Sequence, residues 1–181
     1  MAANPLETRL CEELGIEFPI VAFSHCKDVV EAVINAGGLA VLGVGGMTPD
    51  EIEREIRWLR EHVGDKPFGL DVLIPASVPP SGSNAELREQ IPPSYWEFVE
   101  SIRRDSNIPP PKPKAAEVAR AERPAGTQET ARRQLEVILE ERVPVLASGL
   151  GSPAFILDEA HKRGMKVFGL IGSVRQAKRE A

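Results

Sequence analysis

An α/β fold built on parallel strands is predicted by three observations. Five short apolar runs bounded by Gly or Pro alternate with helix-like segments: Phe18 to Phe23, Leu39 to Val44, Phe68 to Ile74, Val143 to Leu146 and Lys166 to Ile171. They are rich in β-branched residues and barely alternate between apolar and polar, as strands covered on both faces read. Helix-start signals recur between them on the same schedule, and strands alternating with helices define the class.

Taken in order, the first strand leads into a helix from about Asp28 to Ala36. Beyond the second strand, Thr48, Pro49, Asp50 and Glu51 supply a capping hydroxyl, a proline at the first helical position and a Glu three residues past the cap. Ile52, Ile56, Leu59 and Val63 then fall on one apolar stripe. Gln128 to Glu141 reads as the helix before the fourth strand, with Leu135, Ile138 and Leu139 on one side. Ser152 and Pro153 open a helix ending near Gly164, and Ser173 with Gln176 forms a capping box that opens the last one.

One segment breaks this rhythm. Ala76 to Gly126 holds nine of the sixteen prolines in a setting of Ser, Lys and Glu, and reads as an insertion within a single domain spanning residues 1–181. Inside it, Ser94 to Arg103 predicts a short helix whose Tyr95, Trp96, Phe98, Val99 and Ile102 offer an apolar face for docking. The stretch from Pro109 to Pro124 predicts extended chain. Its position after the third strand matters, because active sites of parallel α/β folds sit at the carboxyl ends of strands.

Composition narrows the function classes. With 42% hydrophobic and 27% charged residues, the 181-residue chain has the make-up of a soluble globular protein with one core. No apolar stretch approaches the roughly 20 residues of a membrane span, and the N-terminus has no basic region followed by an apolar one, so a cytoplasmic protein is expected. A net charge of -5 without a basic stripe argues for a small-molecule partner and against nucleic acid. Cys11 and Cys26 form no CxxC and have no ligand set nearby, so both read as reduced thiols and no metal site is expected.

The motifs at the strand ends carry a resemblance. F-P-I-V (Phe18 to Val21), A-G-G-L (Ala36 to Leu39), M-T-P-D-E (Met47 to Glu51) and K-P-F-G-L-D (Lys66 to Asp71) stand in the first block. V-P-V-L (Val143 to Leu146), G-S-P-A-F (Gly151 to Phe155), G-M-K-V-F-G (Gly164 to Gly169) and S-V-R-Q-A (Ser173 to Ala177) stand in the second. In order and spacing they resemble the nitronate monooxygenases, formerly 2-nitropropane dioxygenases, over about residues 9–75 and 127–181. The resemblance implies five of the eight βα units of a TIM (β/α)8 barrel, FMN as cofactor, and oxidation of alkyl nitronates with dioxygen to a carbonyl product and nitrite. The strand count alone also suits a complete flavodoxin-like sheet, which would ignore the order of the motifs.

Carried over by residue, the resemblance places Ala22, Phe23 and Ser24 along the flavin. Asp71 stands where the family usually has an FMN-binding Asn, a change that exchanges an amide donor for a carboxylate. Phe23, Ser24, His25 and Cys26 replace the usual Pro-Met after the first strand, as in a divergent subgroup. Gly149 and Gly151 follow the fourth strand, where bare backbone allows close approach of a ring. Gly43 to Gly46 lacks the dinucleotide fingerprint and reads as a tight turn. His25 and Cys26 are neighbours whose side chains diverge if both lie on a strand, so His25 reads as a loop residue rather than half of a thiol–base pair, and His62 and His161 read as solvent-facing.

The family's strand-six catalytic His and its later phosphate-binding loops have no counterpart in this sequence, so no catalytic residue is assigned. The expectation is therefore an N-terminal part of a flavoenzyme, completed by a missing C-terminal half or by a homo-oligomer, with a non-catalytic binding module as the alternative. The runner-up enzyme is an FMN-dependent enoyl reductase of the related barrel group, which nicotinamide-dependent reduction would reveal.

Overall fold

A computed structural model of the protein describes residues 6–74, 78–109 and 123–180. Helix α1 (Arg9–Leu14) precedes β1 (Val21–Ser24), α2 (Lys27–Asn35), β2 (Leu39–Gly43), α3 (Pro49–Val63) and β3 (Gly69–Leu73). After β3 come α4 (Asn84–Glu89) and α5 (Pro93–Asp105). The chain then forms α6 (Gln128–Glu140), β4 (Val145–Gly149), a 3-10 turn (Ala154–Ile156), α7 (Leu157–Lys162), β5 (Lys166–Gly169) and α8 (Val174–Glu180). The five strands lie in sequence order in one sheet, every neighbouring pair parallel. That is the sheet of five consecutive βα units.

The caps predicted at Thr48 and Ser173 are present, whereas Ser152 and Pro153 lead into the 3-10 turn and α7 begins only at Leu157, without a side-chain cap. Thr48 Oγ1 accepts from the Glu51 amide at 3.3 Å while Glu51 Oε2 accepts from the Thr48 amide at 2.7 Å, so two amides that α3 leaves unpaired are satisfied together. The Ser173 hydroxyl accepts from the Gln176 amide, and the Gln176 carbonyl oxygen reaches back to the Gly172 amide. Thr127 caps α6 by accepting from Thr130. Gly43 to Gly46 makes the expected turn, closed by the Met47 amide donating to the Val44 carbonyl at 2.9 Å.

Parallel pairing puts partners on the same face, so the register sorts the side chains. On the helix side, Ala40, Leu42, Leu70, Val72 and Leu146 meet Val30 and Ile34 of α2, the Ile52–Ile56–Leu59–Val63 stripe of α3 and Leu135 and Ile138 of α6 in one buried cluster. Burying each Leu or Ile here contributes about 1.5–3 kcal/mol relative to exposure, which makes this cluster the main source of stability. On the opposite, concave side a small second cluster joins Leu39 and Val145, at the starts of their strands, to Leu14 of α1 and to Ile16. Helix α1 thus plugs the amino-terminal end of the concave face. Gly15, with φ 69° after α1, turns the chain away in the left-handed region that glycine tolerates.

The insertion departs from one expectation. Its helix forms as α5, but no residue of it is buried, and Tyr95, Phe98, Val99 and Ile102 are between 46% and 64% exposed. Among the described residues the apolar face therefore has no docking surface. Instead the Trp96 ring receives the Arg88 guanidinium of α4 at 5.2 Å, a contact within the insertion. The Pro79 and Pro80 carbonyls accept from the Gln128 and Glu129 amides, which ties the start of the insertion to the first turn of α6. Most of the stretch expected to be extended, residues 110–122, lies outside the described residues.

Candidate functional site

The concave face above the α1 plug holds the candidate site. Strand residues two apart point the same way, so Val21 and Phe23, Asp71 and Leu73, and Ala147 and Gly149 project to one side together. With Val41, Leu150, Phe168 and Leu170 they line a mostly apolar cavity of about 590 Å³ toward the carboxyl ends of β3, β4 and β5. Asp71 is its one acidic wall residue among the described residues. Burial pushes the Asp71 carboxyl above its ordinary range, and the charge available on neighbouring His25 partly opposes that rise.

Two glycines shape the wall by what they lack. A Cβ on Gly149 would lie 3.3 Å from Leu73 Cδ2 and 3.7 Å from Asp71 Oδ1, so its absence keeps the floor between them open. A Cβ on Gly43 would fall 2.5 Å from the His25 ring and 2.8 Å from Phe23 Cζ. Because Gly43 pairs with Asp71, that space is on the concave side, and the His25 imidazole occupies it. His25 Nδ1 lies 3.1 Å from the Gly43 carbonyl, and its ring meets Phe23 edge-on, centroids 5.0 Å apart.

Of the six residues expected at a cofactor, Phe23, Asp71 and Gly149 line this cavity from the concave face, and Ala22, which pairs with Ala40 and packs against the helix-side cluster, borders it. Ser24 does not: its hydroxyl accepts from the Cys26 amide at 3.0 Å, in the turn into α2. Gly151 lines a smaller neighbouring cavity of about 240 Å³ with Ser152, Gly169, Leu170 and Gln176, and its carbonyl accepts from buried Ser148. His25 is a loop residue, and the Cys26 thiol turns to the Asp28 carboxylate at 3.6 Å. His62 and His161 are exposed, and His62 stacks on Trp58. Val21, Val41, Leu73, Ala147, Phe168 and Leu170 were not expected in the site, although the two-residue strand period pairs most of them with residues that were.

One wall residue is held out of line with its backbone preference. Leu150 has φ 63°, unusual for a bulky side chain, and is 67% exposed between the two cavities. Strain of this kind gathers where a site requires a particular backbone path.

A sheet of this topology with its cavity at the carboxyl ends of the strands has clear relatives. The profile of the nitronate monooxygenase family matches residues 7–181. The chain belongs to that family. It is 36% identical to a Mycobacterium tuberculosis protein, Rv1533, whose name describes a monooxygenase, over 97% of this chain and 48% of that protein. It is 25% identical to a Staphylococcus saprophyticus protein named as a nitronate monooxygenase, over 95% of this chain and 45% of that one. The chain thus spans about half the length of the curated relatives it matches.

Among solved structures, nitroalkane oxidase from Streptomyces ansochromogenes superposes with a TM-score of 0.63 at 18% identity, over 96% of this chain and 45% of that one. FabK from Thermotoga maritima gives 0.60 at 23% identity, over 97% and 42%. At these identities the likeness concerns the fold: five βα units of a TIM-barrel type. Membership in the nitronate monooxygenase family makes the chain part of an oxidoreductase family, with its cavity where that fold places active sites.

Proposed function

We propose that this chain supplies the flavin-ring half of an FMN-dependent nitronate monooxygenase acting on alkyl nitronates with dioxygen. The observation that carries the reading is the apolar cavity with Asp71 on its wall, in a chain of this family. A planar isoalloxazine needs apolar contact on its faces and a hydrogen-bonding group at its polar edge. The side chains fit that demand: Gly149 and Ala147 leave a flat floor, Val41, Leu73 and Phe168 give apolar contact, and Asp71 is the polar partner. Bound FMN would supply the electron acceptor that the nitronate reduces and dioxygen reoxidises.

The chain's own residues then have limited work. Phe23, Leu150 and Leu170 shield the ring and substrate from water, and Asp71 orients the polar edge. Gly151 and the smaller cavity belong to the same proposed site as a neighbouring subsite. Residues 1–181 are read as one partial-barrel domain carrying the 76–126 insertion. The strands that complete the barrel come from further polypeptide or from a second copy, because β1 and β5 each pair on one side only among the described residues. No helix among the described residues is long and apolar enough to cross a membrane, and a cytoplasmic location is part of the same proposal.

The test is oxygen uptake with ethylnitronate and FMN, measured for this chain and for a polypeptide in which three further βα units follow it. Uptake by the longer protein, with little by this chain alone, supports the proposal. Reduction driven by a nicotinamide, without nitronate oxidation by either protein, would replace it with the enoyl reductase reading.

A further inference from the structure

We propose that the exposed apolar face of α5 is a docking surface for a second copy of this chain, the two α5 helices packing antiparallel in a symmetric pair. The surface lies outside the cavity and does not rest on the flavin reading above.

The face has the extent that a pair needs. Tyr95, Phe98, Val99 and Ile102 recur at helical spacing along α5, with Trp96 beside them, and all five are exposed. No residue of α4 or α5 is buried, so nothing among the described residues covers this stripe. At their exposures the five side chains leave roughly 600 Å² uncovered per copy, so a pair would bury about 1,200 Å², the lower bound of a specific interface. A contiguous apolar patch of that size on one molecule marks an interaction surface.

Two features single out a second copy as the occupant. The first is charge. Around the helix, Ser94 and Ser101 border the stripe on one side, Glu97, Glu100 and Arg104 fall on the far face, and Arg103 on the other border is already paired with Glu100 at 2.6 Å. A symmetric pair through the stripe therefore brings no like charges together, and the small serines let the two backbones approach. Antiparallel packing also sets each helix C-terminus beside the partner's N-terminus, so the macrodipoles oppose. Glu97, Glu100 and Asp105 outnumber Arg103 and Arg104, which disfavours an anionic membrane surface in the same place.

The second feature is position. β3 is the middle strand, two strands from each open edge, and the insertion springs from its carboxyl end. Its root is tied to the first turn of α6, on the helix side of the sheet, where Pro79 and Pro80 accept from Gln128 and Glu129. Further βα units join at β1 or β5, across the barrel from that root, so the strands that complete the barrel lie away from this face.

The test is sedimentation of the 181-residue protein from about 1 to 100 µM, where a monomer–dimer equilibrium is expected for an interface of this size. Phe98→Glu should weaken dimerisation at least about tenfold, and Glu97→Gln, on the far face, should leave it unchanged. Cross-linking needs no disrupted variant: with Cys26→Ser removing the exposed native thiol, Val99→Cys should form a disulfide-linked dimer on mild oxidation and Glu97→Cys should not. The Val99→Cys cross-link should persist when three further βα units follow the chain. A monomer throughout the range, or a dimer equally strong in Phe98→Glu and so held by the sheet edges, would overturn the proposal. So would loss of the cross-link in the longer polypeptide, which would show that the same chain covers α5.

Discussion

Gln134, only 2% exposed, donates from Nε2 to the Met47 carbonyl at 2.8 Å and to the Val44 carbonyl at 3.2 Å. One side chain of α6 thereby fixes the turn between β2 and α3. That turn positions Gly43, on which the His25 ring rests, so a residue remote from the cavity contributes to its shape.

Replacing Gln134 with Leu should destabilise the protein by about 1–3 kcal/mol, the range for leaving a buried acceptor unpaired. The Val44 carbonyl still accepts from the Met47 amide, so the loss falls mainly on Met47. Urea unfolding checks this. Unchanged stability would mean that the Met47 carbonyl finds another partner.

Gly43→Ala separates the seating of the His25 ring from stability. The new Cβ would occupy the position 2.5 Å from the His25 ring, and the exposed imidazole would swing outward rather than the strand yielding. The urea midpoint should change little. The resonance of the Nδ1-protonated His25 tautomer should disappear as the ring leaves the Gly43 carbonyl. Its retention would show that the ring does not depend on the bare glycine.

Asp71 makes stability depend on pH in a defined direction. Its folded-state pKa is raised, first by burial, so the native state keeps the proton to higher pH than the unfolded state does. The carboxyl's contribution is thus favourable at low pH and is lost as pH rises through a window opening just above the ordinary aspartate range. Asp71→Asn removes that loss, so its stability advantage over the unmutated protein should grow across the window and then level off. Urea midpoints measured against pH would contradict this if the two proteins ran parallel. The amide also restores a donor, and in a completed barrel FMN binding should hold or improve.

Leu150 stores strain that glycine would release. Leu150→Gly should stabilise the backbone by about 1 kcal/mol, offset in part by the greater freedom of glycine in the unfolded chain. It also removes an apolar wall shared by both cavities, so flavin-ring binding should weaken while the thermal midpoint stays level or rises. A clear drop in midpoint would show that Leu150 is not strained.

Much of the fold was legible because the relevant signals are local. Thr48 and Glu51 announce the start of α3 whatever surrounds them, and the apolar run Leu39 to Val44 reads as a strand covered on both faces. The boundaries shifted where capping and pairing, rather than hydropathy, decide them. Phe18 to Ile20 are apolar, but β1 pairs only from Val21, and β4 runs on through Ala147, Ser148 and Gly149 because β3 offers partners there. The exposed α5 face shows the limit of reading amphipathicity alone: Tyr95 and Phe98 predict a contact surface, and nothing in their spacing says whether the same chain covers it.

The site was legible in part for the same reason. Asp71 and Gly149 stand out as unusual residues at strand ends. The role of Gly43 depends on register, since only its pairing with Asp71 puts His25 on the concave side. Ser24 was drawn into the turn before α2 by its bond to the Cys26 amide, a competition that the strand pattern does not show.

The central claim is that this cavity holds the flavin ring while the phosphate is held elsewhere, and one titration tests it most directly. Quenching of flavin fluorescence by the 181-residue protein should give dissociation constants for riboflavin and FMN within about threefold of each other, because ring contacts dominate both. Each charge-assisted hydrogen bond to a phosphate would add about 1.5–3 kcal/mol, more than tenfold in affinity. FMN binding more than tenfold tighter than riboflavin, or quenching of neither, would contradict the account.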